Sequence, residues 1–366
     1  MRLLICAGGT GGGVYPALAV LQALRNNAMI LWVGGEGGME TRLVQRANVP
    51  FKTIPAAGLH GVGLRSLPGN LARLVRGFFA SRRILAEYKP DALFFTGGYL
   101  AIPMALAGAR IPSLLYVPDI EPALALKTLA HFADRIAVTA ESSFRYFRHA
   151  ERLALVGYPT RSKLASFTRP EARSVLHLKD DSPVLLVFGG SRGARSINNA
   201  VIEALPTLLE KAQVIHITGE LDWPSVETRT KSLTPEQASR YHAFPYLHEE
   251  MGAALSAADL VVSRAGASTL GEYPLFGLPA ILVPYPYAWR YQKVNADFLV
   301  ERGAALLLED ARLATDLVPT VTGLLGDPQK LASMRTAMKN QFRPQAAADI
   351  GSLLLGLAGE RSVDHG

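Results

Sequence analysis

Val261 to Asn295 reads VVSRAGASTLGEYPLFGLPAILVPYPYAWRYQKVN, and the fold class is decided here. The β-branched run Leu260-Val261-Val262 stops at Ser263. A turn of small residues, Arg264-Ala265-Gly266-Ala267-Ser268, follows, and a helical pattern opens at Thr269 with Glu272 in its first turns. A strand, a small-residue turn and a helix start point unpaired backbone N–H groups and the positive end of a helix dipole at one spot, a natural seat for a phosphate. A carboxylate beside a phosphate repels it. Glu272 is therefore read as an acceptor of hydrogen bonds from sugar hydroxyls, as acidic residues serve ribose in dinucleotide sites. The alternative is a solvated glutamate that offsets the dipole of a first turn.

The same design recurs twice more. Leu3 to Cys6 is a buried-strand pattern running into Ala7-Gly8-Gly9-Thr10-Gly11-Gly12-Gly13, and a helix pattern follows from Val14 to Leu21. This glycine-rich turn is a second anion nest, with a plain tight turn as the other reading. Its spacing is neither the dinucleotide fingerprint nor the nucleotide-hydrolase loop. Val184 to Phe188 then ends in Gly189-Gly190-Ser191-Arg192-Gly193-Ala194-Arg195, a third strand, glycine turn and helix start. The Ser191 hydroxyl suits a diphosphate oxygen; Arg192 is its charge partner or faces solvent.

Between these turns strand and helix alternate. Ile30 to Gly34, Phe51 to Ile54, Ala92 to Phe95, Leu114 to Val117, Ile136 to Thr139 and Leu153 to Val156 read as strands, with a helix from Met39 to Ala47. Such alternation predicts a doubly wound parallel sheet. Thr96-Gly97-Gly98-Tyr99 closes one strand. Pro118-Asp119-Ile120-Glu121-Pro122 follows another and sets two carboxylates where open α/β sheets carry their chemistry. One of them is a candidate general base, with Asp119 alternatively capping the helix pattern Ala123 to His131. Ser162 to Ser182 is polar and reads as a linker. Val214 to Gly219, Ala243 to Tyr246 and Arg302 to Leu308 are strands of a second alternation, and Pro328 to Ala358 is helical with a break at Pro344. The expected architecture is α/β, two Rossmann-like doubly wound parallel-sheet domains facing a cleft. Residues 1–162 form the first domain, 163–340 the second, and 341–366 a helix crossing back to the first.

Composition narrows the function classes. The chain has 366 residues, 49% hydrophobic and 19% charged, enough for two cored domains. A single cysteine, Cys6, excludes a disulfide framework and a cysteine-rich metal site. No signal-peptide pattern and no apolar span of about 18 residues occurs. The formal charge is +7, which favours a polyanionic partner. Basic residues at loop ends, rather than along one face with interleaved aromatics, argue against nucleic acid. From Gly63 to Tyr88 a helical period carries Leu67, Leu71, Leu74, Val75, Phe78 and Phe79 among Arg65, Arg73, Arg76, Arg82 and Arg83. That composition suits an anionic membrane surface, or else an ordinary packed helix.

These motifs bring a family into view. GGTGGGVYPALAV from Gly8, TGGY from Thr96, VGYPTR from Val156, FGGSRGARSIN from Phe188, SRAGASTLGE from Ser263 and GLPAILVPYP from Gly277, with Gln292 and Asn295, run over nearly the full length. In them the chain resembles the MurG family, the bacterial N-acetylglucosamine transferases that make lipid II, within the two-domain GT-B glycosyltransferases. The resemblance implies inverting transfer of GlcNAc from UDP-GlcNAc to undecaprenyl-diphospho-N-acetylmuramoyl-pentapeptide in peptidoglycan synthesis. It implies no cofactor or metal, and a peripheral location on the cytoplasmic face of the cell membrane. By the same likeness the second half takes the donor. Glu272 holds the ribose; Ser191 and the amides of Ala267-Ser268-Thr269 meet the diphosphate; Leu270 is among the UDP-GlcNAc contacts; His248 contacts uracil through its backbone; Arg161 lies near the nucleotide; and Gln292 reads the sugar. Thr10, Gly11 and Gly12 are placed among the UDP-GlcNAc contacts and are expected to hold the acceptor diphosphate. Gly13 and Tyr99 fall on the acceptor side. Leu71, Leu74, Phe78 and Phe79 with Arg73 and Arg76 match the membrane-docking patch.

The chain departs from the family pattern at three places. Gly13 stands where a histidine is usual, Tyr116-Val117-Pro118-Asp119 where His-Glu-Gln-Asn is usual, and Tyr291 where a second glutamine is usual. The changes cluster on the acceptor and sugar side. The mechanism expected is a single in-line displacement at the anomeric carbon, with Asp119, or else Glu121, as base in place of the missing histidine. Helix-end amides and Ser191, rather than a metal, meet the charge on the departing UDP, since no Asp-x-Asp motif occurs. A transferase for another lipid acceptor such as a diacylglycerol, a nucleotide-sugar epimerase of the same fold, and a non-catalytic UDP-sugar binder are the alternatives.

Overall fold

The computed structural model describes residues 1–8, 11–24, 27–38, 40–57, 67–179, 182–190, 193–287 and 291–363. It divides into two units, Met1–Arg161 with Arg343–Gly366, and Ser162–Phe342. No helix among the described residues is long and apolar enough to cross a membrane.

The first unit runs β1 (Arg2–Ala7), α1 (Gly11–Leu24), β2 (Met29–Gly35), α2 (Glu40–Arg46), β3 (Phe51–Ile54), α3 (Leu67–Tyr88), β4 (Ala92–Gly97), α4 (Ala101–Ala107), β5 (Ser113–Val117), α5 (Leu124–Leu129), β6 (Arg135–Val138) and β7 (Leu153–Leu155). Among the described residues its strands form a parallel sheet in the order β3-β2-β1-β4-β5-β6-β7. Leu3, Leu4, Ile5 and Cys6 on β1 and Leu93 and Phe94 on β4 are fully buried. That is why these strands read as unbroken apolar runs: helices cover both faces of the sheet. Trp32 on β2 is fully enclosed, and its indole N–H donates to Ala7 O at 2.9 Å.

The second unit runs α6 (Arg169–Val175), β8 (Val184–Phe188), α7 (Arg195–Lys211), β9 (Gln213–Ile217), α8 (Trp223–Thr230), α9 (Pro235–Ala238), β10 (Tyr241–Phe244), α10 (Met251–Ala257), β11 (Leu260–Ser263), α11 (Glu272–Phe276), β12 (Ala280–Leu282), α12 (Tyr291–Val300), β13 (Ala305–Leu307), α13 (Leu313–Leu325) and α14 (Pro328–Lys339). Its sheet has the order β10-β9-β8-β11-β12-β13, the first unit's winding repeated. The last helix, α15 (Ala346–Val363), packs on α1, β4 and β5 of the first unit, burying Ile350 and Leu354.

The polar stretch expected as a linker is structured. Thr168 and Glu171 form a capping box at the start of α6 with Pro170 in its first turn, Ala172 and Leu164 are buried, and Arg169 pairs with Asp259 at 2.7 Å. Polar composition misled here because α6 packs on α10 over a narrow face while charges elsewhere on it tie back to the sheet end.

In both units the strand order reverses beside the first strand. In the first unit the switch lies between β1 and β4, so the turns after Ala7 and Gly97 flank it; in the second it lies between β8 and β11, flanked by the turns after Phe188 and Ser263. Open α/β sheets bind ligands outside the carboxyl ends of strands at such switch points.

Candidate functional site

The turn after β11 is built by buried polar contacts. Ser263 Oγ shares a 2.5 Å hydrogen bond with the Tyr273 hydroxyl, whose burial pushes its pKa well up, and Ser263 Oγ also donates to Arg264 O at 2.9 Å. Asn295, fully buried on α12, donates to Ala265 O at 3.1 Å and props the turn from behind. The expected single helix from Thr269 is instead two short pieces. Ala267–Leu270 is one 3-10 turn, Gly271 breaks it, and α11 begins at Glu272. Thr269 explains the break, because both its N–H, at 3.0 Å, and its hydroxyl, at 2.7 Å, close on Gly266 O. The Thr269 amide assigned to a diphosphate is thus used inside the turn, leaving Ala267 and the half-buried Ser268 as the outer residues. Leu270 is buried. Glu272 is 8% exposed at the first position of α11, so the solvated-glutamate reading does not hold.

Arg264 is not a ligand candidate. Its side chain, 10% exposed, donates to Asp310 Oδ1 at 2.5 Å, to Val283 O at 3.2 Å and to Ser196 Oγ at 2.8 Å, and Ser196 donates to Asp310 at 2.7 Å. This triad ties the turn after β11 to the first turn of α7 and to the strand beyond. Nothing in the sequence signals it, since Asp310 is 46 residues from Arg264. Gln292 accepts the Tyr285 N–H at 2.9 Å through Oε1, so a sugar contact from Gln292 would come from its amide nitrogen. His248 is exposed, its ring 4.6 Å from that of Tyr246.

Ser191 and Arg192 lie outside the described residues, but the turn around them is defined. Gly193 N donates to Gly190 O at 3.0 Å, and both glycines have positive φ, +77° and +92°. A side chain on Gly193 would strike Thr218 O, so only glycine lets this turn close against β9. Below it Asn198 donates through Nδ2 to Thr218 O at 2.8 Å and to Asp222 at 2.9 Å, and its Oδ1 accepts from His216 Nε2 at 3.0 Å. His216 is fully buried, which holds its pKa down at about 3 and keeps the ring neutral.

In the first unit Gly11, Gly12 and Gly13 are the opening residues of α1; Thr10 lies outside the described residues. Tyr15 packs on Gly11, and the Arg161 guanidinium stacks over the Tyr15 ring at 4.4 Å from its centroid. Arg161 therefore stands beside the first turn of α1, in the first unit. A Cβ on Gly13 would lie 3.0 Å from Thr96 O and 3.2 Å from the Thr96 hydroxyl, so a side chain there requires the end of β4 to give by a few tenths of an ångström. Tyr99 is half-buried in the turn after β4.

Tyr116, in place of the usual histidine, is fully buried, and its hydroxyl bonds to Thr139 Oγ1 at 2.8 Å and donates to Gly157 O at 3.2 Å. It braces the turn before Tyr158 and serves no ligand. Glu121 is 3% exposed and paired with the partly exposed Lys127 at 3.3 Å, which counts against it as a base because proton uptake would break that ion pair. Asp119 is half-buried at the carboxyl end of β5 and is not the expected helix cap, which is Ala123.

On α3 the exposed apolar residues are Leu71, Val75 and Phe79, a stripe at four-residue spacing, with Arg73, Arg76, Arg82 and Arg83 exposed around it. Leu74 and Phe78, expected in the patch, turn partly inward, and Val75 takes their place. The stripe, not the full apolar list, is what a surface can meet.

Residues 3–138 match the glycosyltransferase family 28 N-terminal domain and residues 184–350 its C-terminal domain. Relatives in Roseiflexus sp. (strain RS-1) and Desulforudis audaxviator (strain MP104C), each named UDP-N-acetylglucosamine–N-acetylmuramyl-(pentapeptide) pyrophosphoryl-undecaprenol N-acetylglucosamine transferase, are 39% and 40% identical. They cover 97% and 98% of this chain and 94% and 99% of their own. The chain belongs to the MurG family. The crystal structure of Acinetobacter baumannii MurG superposes with a TM-score of 0.75 at 27% identity, covering 97% of this chain and 99% of that one. A UDP-GlcNAc 2-epimerase from Neisseria meningitidis bound to UDP-GlcNAc superposes at 0.69, but at 13% identity it shares the fold alone. Membership makes the chain a hexosyltransferase of GT-B fold, and of its departures from the family pattern Tyr116 fills the first unit's interior.

Proposed function

We propose that the protein transfers GlcNAc from UDP-GlcNAc to undecaprenyl-diphospho-N-acetylmuramoyl-pentapeptide, making lipid II from lipid I. The observation that carries this reading is the turn after β11. It sits at a topological switch point, is braced by Arg264 and Asn295, and ends on a buried glutamate at a helix start. A nucleoside diphosphate-sugar has the matching chemistry: two ribose hydroxyls for Glu272, and phosphate oxygens for the outer amides of the turn and for Ser191. The names carried by relatives of 39–40% identity over nearly the whole of both chains support lipid I as acceptor.

In the proposed step the muramoyl hydroxyl attacks the anomeric carbon in line, the bond to the UDP oxygen breaks, and the configuration inverts. The hydroxyl proton passes to Asp119, and the electron pair leaves on the diphosphate, where fixed amide dipoles stabilise it. The acceptor diphosphate lies on the glycine turn at the start of α1, with Arg161 beside it. The apolar and arginine-rich α3 rests on the cytoplasmic membrane face, where the lipid acceptor resides.

UDP calorimetry paired with a turnover assay on lipid I tests the reading. Binding together with UDP release that depends on lipid I is expected; binding without turnover would make the chain a sugar-nucleotide binder.

A further inference from the structure

We propose that Glu40 is a positioning residue for the acceptor side, its buried carboxylate fixing Gly8, where β1 gives way to the glycine turn. This rests on the reading that the turn receives the acceptor diphosphate. Glu40 is the first residue of α2 and is 0% exposed, yet no step of the reaction uses it. Its Oε1 accepts the Gly35 N–H at 2.8 Å. Glycines from two strand ends and the following loop make room for it. A Cβ on Gly8 or on Gly38 would fall inside the carboxylate, and one on Gly34 would lie 3.0 Å from Glu40 Cγ.

Gly8 is held from the other side too. A Cβ on Gly98, in the turn after β4, would lie 2.9 Å from Gly8 O, and Gly98 has φ of +89°. The first residue of the turn is thus gripped between a carboxylate and the neighbouring turn. An apolar side chain would fill the same hollow without accepting the Gly35 N–H, and an interior carboxylate is tolerated only where donors surround it. Glu40 therefore locks the ends of β1 and β2 to one another at the foot of the nest.

Glu40→Gln keeps the shape and removes the charge; Glu40→Asp keeps the charge and withdraws it by one methylene. Both are expected to raise KM for lipid I about fivefold or more and to lower kcat, with KM for UDP-GlcNAc and UDP affinity within about twofold of wild type. Unchanged lipid I kinetics in both variants overturns the proposal. So does a parallel decline for both substrates that follows a fall in Tm, because that is the signature of a merely structural residue. Should neither variant fold, Gly98→Ala presses on Gly8 from the opposite side and must give the same split. If the wild type uses a different lipid acceptor but the split persists, the acceptor identity falls and Glu40 keeps its role; with no acceptor turnover at all, both fall.

Discussion

At the scale of single residues, the buried polar groups separate structure from chemistry. Glu272 is buried at a helix start beside the turn at the second unit's switch point, where the proposed ribose would lie. Glu272→Ala is expected to weaken UDP binding by about 1.5–3 kcal/mol, read by calorimetry, the range for hydrogen bonds to a charged group. Unaltered affinity would remove the ribose assignment. Asp119 and Glu121, two residues apart, divide differently. Asp119→Asn should lower kcat roughly 10²–10⁴-fold with KM for UDP-GlcNAc held, as loss of a general base does, whereas Glu121→Gln breaks the pair with Lys127 and should lower Tm instead. Equal kcat for wild type and Asp119→Asn would leave the base unassigned.

At the scale of elements, the strands were legible because buried parallel strands are unbroken apolar runs, and Val184–Phe188 falls where its run begins and ends. The glycine turns were legible for the same local reason. What the sequence hid was carried by contacts between distant elements: the Arg264, Asp310 and Ser196 triad, the packing of α6, and the inward turn of Leu74 and Phe78. None has a local pattern, since each depends on which strand lies beside which. His216 on β9 is another such case, a histidine in an apolar run whose partners, Asn198 and Tyr241, come from α7 and β10. Its folded pKa of about 3 lies below the unfolded value near 6.5, so the unfolded chain binds the extra proton as pH falls. The second unit should lose stability between pH 6.5 and about 3, by up to about 1.4 kcal/mol per pH unit from this group. Urea midpoints measured from pH 7 to 4 should fall more steeply for wild type than for His216→Asn; parallel slopes would contradict the buried neutral ring.

At the scale of the whole molecule, a repeated winding supplies two units of similar design, and the chemistry differs by what fills each switch point. The second unit, the proposed donor half, keeps polar braces around its turns. The first has a glycine at position 13 and fills position 116 with a buried tyrosine. The membrane role proposed for it rests on one stripe. Leu71→Ser with Phe79→Ser should reduce sedimentation with vesicles containing anionic lipid, while turnover on a short-chain, water-soluble acceptor stays near wild type. Undiminished vesicle binding would move the docking surface elsewhere.

The central claim is the identity of the two substrates, and one competition tests it directly. With labelled UDP-GlcNAc and equal amounts of lipid I and diacylglycerol in the same detergent, the label is predicted to appear in a product of lipid I carrying one added GlcNAc, with UDP released in equal amount. Label in the diacylglycerol alone, or in neither lipid, would contradict it.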